Sequence, residues 1–149
     1  MTHPNRRNQR GNSAIEFGIG FSVLFACFSG VFQYGYTLYL YNALQTAVTD
    51  GAAYAVRTDY CASNTNFNDQ VKQMVVYGDP ALSSVTSTVP GLLISNVTVT
   101  ATPATFPRTI TVAITNFTVN ALFSTFQFTN KPAVTMTFMG NYQPAGSGC

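Results

Sequence analysis

Between Phe17 and Thr49 the chain carries no charged side chain. An uncharged stretch of this length is rare in a helix merely buried inside a soluble domain. The run Ile15 to Tyr34 spans 20 residues. At 1.5 Å per residue it would reach about 30 Å, the thickness of a bilayer's hydrocarbon core. Arg6, Arg7 and Arg10 precede it, and no cation follows until Arg57. The positive-inside rule therefore keeps the N-terminus cytoplasmic and exports everything after about residue 35. Tyr34, Tyr36, Tyr39 and Tyr41 cluster where the span leaves the membrane, as an interfacial aromatic belt does.

The helical pattern continues past the interface. Leu40, Leu44, Ala47, Val48, Gly51, Ala52 and Ala55 keep the spacing of one apolar helix face, with Asn42, Gln45, Thr49 and Asp50 off it. No proline interrupts from residue 13 to residue 57. The expectation is one helix over 12–57, with its first half in lipid and its second half amphipathic. Gly35 is the expected bend.

The span carries a packing pattern as well. Ala14, Gly18, Ser22, Ala26 and Gly30 recur every fourth residue, and Phe17, Phe21 and Phe25 form the adjacent stripe. In lipid, helices associate by close backbone approach across small residues, since hydrophobicity gives no preference for protein over acyl chains. Small residues are also common in membrane helices for no specific reason.

Chemistry is scarce. Charged residues make up 8% of the chain, against roughly 25% in ordinary soluble domains. The hydrophobic fraction of 46% argues against disorder. The one histidine, His3, lies in the polar N-terminus, so catalysis by a folded-domain histidine is not expected. There is no CxxC, HExxH, phosphate loop or GxSxG, and no close carboxylate pair. No metal or cofactor is implied, and catalysis is not expected. Beyond the three N-terminal arginines the cations are scattered singly, so no nucleic-acid-binding patch is expected.

The junction reads Arg-Arg-Asn-Gln-Arg-Gly followed by Asn-Ser-Ala-Ile-Glu-Phe over residues 6–17. A lone carboxylate at the head of a membrane helix is expensive and invites a functional reading. The string resembles the class III signal of type IV pilin-like proteins: a basic leader ending in glycine, then a hydrophobic helix with Glu at its fifth position. The Glu-Phe pair, the long helix and the β-rich remainder most resemble TadE-like pseudopilins of the tight-adherence (Tad) pilus. Major Tad pilins are much shorter, so the resemblance points to a minor subunit. It implies cleavage between Gly11 and Asn12 by a prepilin peptidase on the cytoplasmic face of the bacterial inner membrane. It also implies pairing of the freed α-amino group of one subunit with Glu16 of another. Phe17 follows Glu16 in the same assembly motif. The implied partners are the peptidase, other pilin or pseudopilin subunits, the inner-membrane assembly platform and the bilayer. The implied place is single-pass in the inner membrane with a periplasmic domain, then the pilus or cell surface, with a role in assembly and adhesion.

Other readings of the same residues stay open. Ser13-Ala-Ile-Glu16 is also a capping box, in which Ser13 and Glu16 satisfy free backbone donors at a helix start. Leu24-Phe-Ala-Cys27 looks like a lipobox, which would make the protein a lipid-anchored binding domain, although the chain after Cys27 stays apolar. An ordinary signal could be cut after Ser29, and an uncleaved helix could simply anchor the domain.

The exported part, 58–149, reads as α+β. Residues 58–68 are polar and turn-rich. Asn68 or Asp69 could cap a short helix to Tyr77 with Val71, Met74 and Val75 on one face, ended by Gly78-Asp79-Pro80. From Val85 to Tyr142, threonines alternate with Val, Ile and Phe. Ile94 to Ala101 and Arg108 to Phe117 flank a Pro103–Pro107 turn and predict an antiparallel pair. Val134, Met136 and Phe138 mark a last strand, while Ala121 to Phe128 reads equally as helix or strand. The economical, pilin-like architecture packs a small antiparallel sheet on the second half of the long helix. Arg57, Lys72, Arg108 and Lys131 balance Asp50, Asp59, Asp69 and Asp79. Asn96 and Asn116 match the glycosylation sequon, read as incidental in a bacterial context. Cys61 and Cys149 lie where disulfides persist, and a bridge would stabilise by about 4–5 kcal/mol in the chain-entropy account. Two free thiols or an intermolecular bond are the alternatives. Cys27 is expected to be an inert packing residue.

Overall fold

The computed structural model describes residues 9–61, 65–82, 86–102, 108–120 and 125–143. Its first element, α1 (Gln9–Ala55), is a single helix of 47 residues, about 70 Å long, that runs unbroken through Gly35. All seven residues of the apolar face read from the sequence, from Leu40 to Ala55, are buried. The second half of α1 is therefore the spine of the folded domain, and Leu44, Val48, Ala52 and Ala55 have no exposed surface.

A turn leads to β1 (Tyr60–Cys61) and then to α2 (Thr65–Tyr77). This helix begins three residues before the expected cap, and its apolar face is wider, adding buried Phe67 to Val71, Val75 and Val76. It runs antiparallel to α1: Gly51 faces Val75, while Tyr54 reaches Gln70. Gly78 ends it in a left-handed conformation (φ +74°), with its amide donating to the Met74 carbonyl.

The predicted antiparallel pair forms as β2 (Val97–Thr102) and β3 (Thr109–Ile114), preceded by a 3-10 turn at Ile94–Asn96. The last strand forms as β6 (Ala133–Thr137) beside β3, giving the order β2-β3-β6 with β3 in the centre. Registration of Val99, Val112 and Val134 across the three strands puts the apolar side chains on one face. Ile110, Val112 and Ile114 are buried, and β3 and β6 lie against α1. The opposite face is threonine, tied across strands by a 2.8 Å hydrogen bond between Thr111 and Thr135.

Two small strand pairs complete the domain. Residues 121–124 lie outside the described part, but Thr125–Phe128 is a strand, β5, paired with β4 (Phe117–Asn120). The sequence reading ran β3 on through Phe117. Instead Asn116 turns the chain with a positive φ of 54° and Phe117 starts the new pair. Asn96 fastens that turn, its Nδ2 donating to the Thr115 and Asn116 carbonyls at 3.2 and 3.1 Å. The Asn96 amide of the sequon thus has a structural role. The short β7 (Tyr142–Gln143) pairs in parallel with β1.

That last pair anchors an aromatic cluster. The Tyr60 ring meets Phe67 edge-on at 5.1 Å and Phe138 at 6.2 Å, and stacks on Tyr142 at 6.4 Å. Burial, then the neighbouring Tyr142, raises the Tyr60 pKa above the ordinary value of about 10. A raised phenol favours the folded state below the unfolded pKa and loses that preference as pH rises through the folded one. Stability is expected to fall above about pH 10, and Tyr60→Phe should flatten that alkaline limb in melting temperature against pH.

Candidate functional site: the bare half of α1

Every residue from Asn12 to Phe28 is exposed. Helix α1 is long and apolar enough to cross a membrane, and its first half presents Ile15, Phe17, Ile19, Phe21, Phe25 and Phe28 with more than half of each surface open. Such an apolar surface is not left to water; it marks contact with lipid or with other protein.

Both stripes read from the sequence are present. Phe17, Phe21 and Phe25 stack in succession, with centroids 6.2 Å apart and planes 22° and 21° from parallel. Beside them Ala14, Gly18, Ser22 and Ala26 are exposed, while Gly30 is half-buried. Nothing lies within 4 Å of where a side chain on Gly18 or Gly30 would begin. The Ser22 hydroxyl donates to the Gly18 carbonyl at 2.8 Å, so the one polar group of this stripe is satisfied within its own helix. A row with a four-residue repeat is inclined to the helix axis, so a neighbour packed along it crosses α1 at an angle.

Helix α1 already includes Gln9, Arg10 and Gly11, so the Gly11–Asn12 bond lies within helix in this chain. Ser13 is therefore an interior residue, and the capping-box reading of Ser13 and Glu16 does not describe the full chain. The Glu16 side chain is exposed. Cys27 is a free, exposed thiol on the same surface, with no packing neighbour fixed for it by this chain alone. Of the disulfide pair, Cys61 belongs to β1 and stands opposite Gln143. Cys149 lies outside the described residues, as does the arginine-bearing stretch before residue 9.

The structure adds a feature that periodicity concealed. Ser29 is only 7% exposed, and Gly30, Gln33 and Thr37 are half-buried. With Leu40 and Leu44 they form one helix face, so the covered side of α1 extends below the domain core to Ser29. The same stretch leaves Val31, Phe32, Tyr34, Leu38 and Tyr39 more than half exposed on its other side. Serine, glutamine and threonine break the hydrophobic pattern here, which hid the continuity; their four-residue spacing was the available signal. Elsewhere, shallow open clefts lie between α1 and α2 around Asp50 and Met74. No group of three or more metal-ligating side chains occurs among the described residues.

Residues 11–53 match the family model of TadE-like proteins. The match begins at the glycine of the junction and ends within the buried half of α1, covering under a third of the chain. No curated protein and no solved structure matches the chain.

Proposed function

With residues 11–53 TadE-like, we propose that this chain is a minor, pseudopilin-type subunit of a Tad pilus system. A prepilin peptidase removes the leader after Gly11, and the chain is held single-pass in a bacterial inner membrane with its α+β domain in the periplasm. It then joins other pilin or pseudopilin subunits, at an assembly platform, through the bare half of α1. Its role is structural, in pilus assembly and surface adhesion, and not catalytic.

The observation that carries this reading is the all-round exposure of residues 12–28 on a helix continuous with the domain core. A membrane anchor needs only an apolar surface. An assembly helix needs shape as well, which the small-residue row and the adjoining aromatic row supply. Rigid continuity into the core means that a neighbour's grip on residues 12–28 fixes the position of the whole domain.

The test is intact mass and N-terminal sequencing of the protein extracted from its native membrane. A chain beginning at Asn12 is expected, lighter by two hydrogens than its reduced form if Cys61 and Cys149 are joined as we propose. A chain beginning at lipidated Cys27, or one retaining Met1, overturns the processing.

A further inference from the structure

The folded domain has a defined lower end. The Met139 amide donates to the Val56 carbonyl at the far end of α1, and Thr109 pairs with Thr137 beside it. β3 therefore descends along α1 from Thr109 to Ile114. Below it Phe117 pairs with Phe128, whose ring meets Tyr41 at 5.8 Å. Leu93, just before the 3-10 turn, belongs to this end: the Asn96 side chain accepts from the Leu93 amide and also holds the Thr115–Asn116 turn. Outside α1, the large apolar side chains left exposed are Leu82, Leu93, Phe126 and Met139 among the described residues. Leu93 and Phe126 sit on the lower end, and Met139 marks the far one.

Tyr41 stands seven residues, about 10 Å, above Tyr34 at the outer end of the predicted span. The covered face of α1 descends further, to Ser29, about 7 Å inside that span. Protein cover thus reaches the level of the bilayer surface on one side of α1, while Tyr34 and Tyr39 stay open on the other. Headgroup layers are only about 5–8 Å deep, so a domain held this low touches them. We propose that the lower rim of the domain, through Leu93 and Phe126, is seated in the lipid interface of the outer leaflet beside the tyrosine belt. The partner is a phospholipid surface, and the seat limits how far α1 can tilt or rise before assembly extracts it. This inference rests on the membrane-anchored reading above.

The chain contains no tryptophan, so one introduced indole reports its own surroundings. Leu93→Trp, Phe126→Trp, Met139→Trp and Phe25→Trp, all at exposed positions, would each be reconstituted as full chain into phosphatidylethanolamine–phosphatidylglycerol vesicles. A fraction of the lipid carries bromine midway along its acyl chains. Emission from Leu93→Trp and Phe126→Trp should fall on the order of half as much as that from Phe25→Trp, with Met139→Trp unchanged. Rim residues quenched no more than Met139→Trp would overturn the seat, as would equal quenching at all four positions. Failure to quench Phe25→Trp would overturn the membrane reading itself, which separates the two conclusions.

Discussion

Replacing Gly51 with leucine should prevent α2 from docking and leave the α+β domain unfolded on an intact α1. A β-carbon at Gly51 would collide with a Val75 methyl, and it would also stand 3.6 Å from the Val71 carbonyl oxygen. Both neighbours are fully buried on the face of α2 that packs on α1, and the Val71 carbonyl is part of the helix backbone, so α2 itself must shift to admit a side chain. Overpacking of this kind costs about 1–3 kcal/mol for small additions and more for a whole side chain. Gly51→Ala gains helix propensity worth about 0.5–1 kcal/mol, and the collision should still leave it destabilised. Shrinking the obstacle reverses the sign of the interaction. Gly51→Ala with Val75→Ala should be more stable than the sum of the single changes predicts, with a coupling of about 1 kcal/mol or more. Near-UV circular dichroism of the tyrosines during melting of the full chain in detergent would report this, because α1 itself stays helical. A lost kilocalorie corresponds to roughly 4–8 °C in a domain of this size. Additive effects, or a folded Gly51→Leu protein, would show that the helices can separate without cost.

This close approach explains why the fold was only partly legible. Gly51 was readable as a member of the apolar face, because its place in the 3.6-residue repeat is independent of its partner. Its role as the point where α2 comes nearest depends on Val75, which no local pattern connects to it. The strands show the same division. The threonine-alternating segments that became β2, β3 and β6 were visible through their two-residue period. The switch at Asn116 shows in the sequence only as a one-residue phase slip, from apolar even positions through Ile114 to apolar odd positions from Phe117, and a reading of Arg108 to Phe117 as one strand passes over it. β1 and β7 are two residues each and form through the packing of Tyr60 on Tyr142, a contact between segments about 80 positions apart. Of the candidate site, both stripes on α1 were legible because a solitary helix displays its sequence directly. The covered Ser29–Gln33–Thr37 edge was marked only by its four-residue spacing, since polar side chains there break the apolar pattern that signals burial.

Glu16→Ala should leave the protein in the membrane, correctly cut, and absent from filaments. The side chain is exposed on a bare apolar helix. A carboxylate within a membrane span costs about 2.5–3.5 kcal/mol, less near its end, so alanine there should ease insertion. A residue that makes the anchor worse and is not the helix cap in the full chain needs a partner from outside the chain. Leader removal would supply one, because cutting after Gly11 frees a cationic amine four residues before Glu16. The two charges on one chain would stand a helical turn apart, and the same groups on neighbouring chains could pair and set their axial register. Loss of such a buried pair removes one partner and strands the other, an effect of about 3–5 kcal/mol, or at least a hundredfold in recruitment. Glu16→Gln should fail as well, since it keeps the shape without the charge, whereas Glu16→Asp should recover part of the signal. Membrane fractionation, N-terminal sequencing and quantification of the subunit in sheared pili separate insertion, processing and assembly. Wild-type amounts of Glu16→Ala in the filament would reduce Glu16 to a residue of the first helical turn and shift the whole of recognition onto the packing of the glycine and phenylalanine rows.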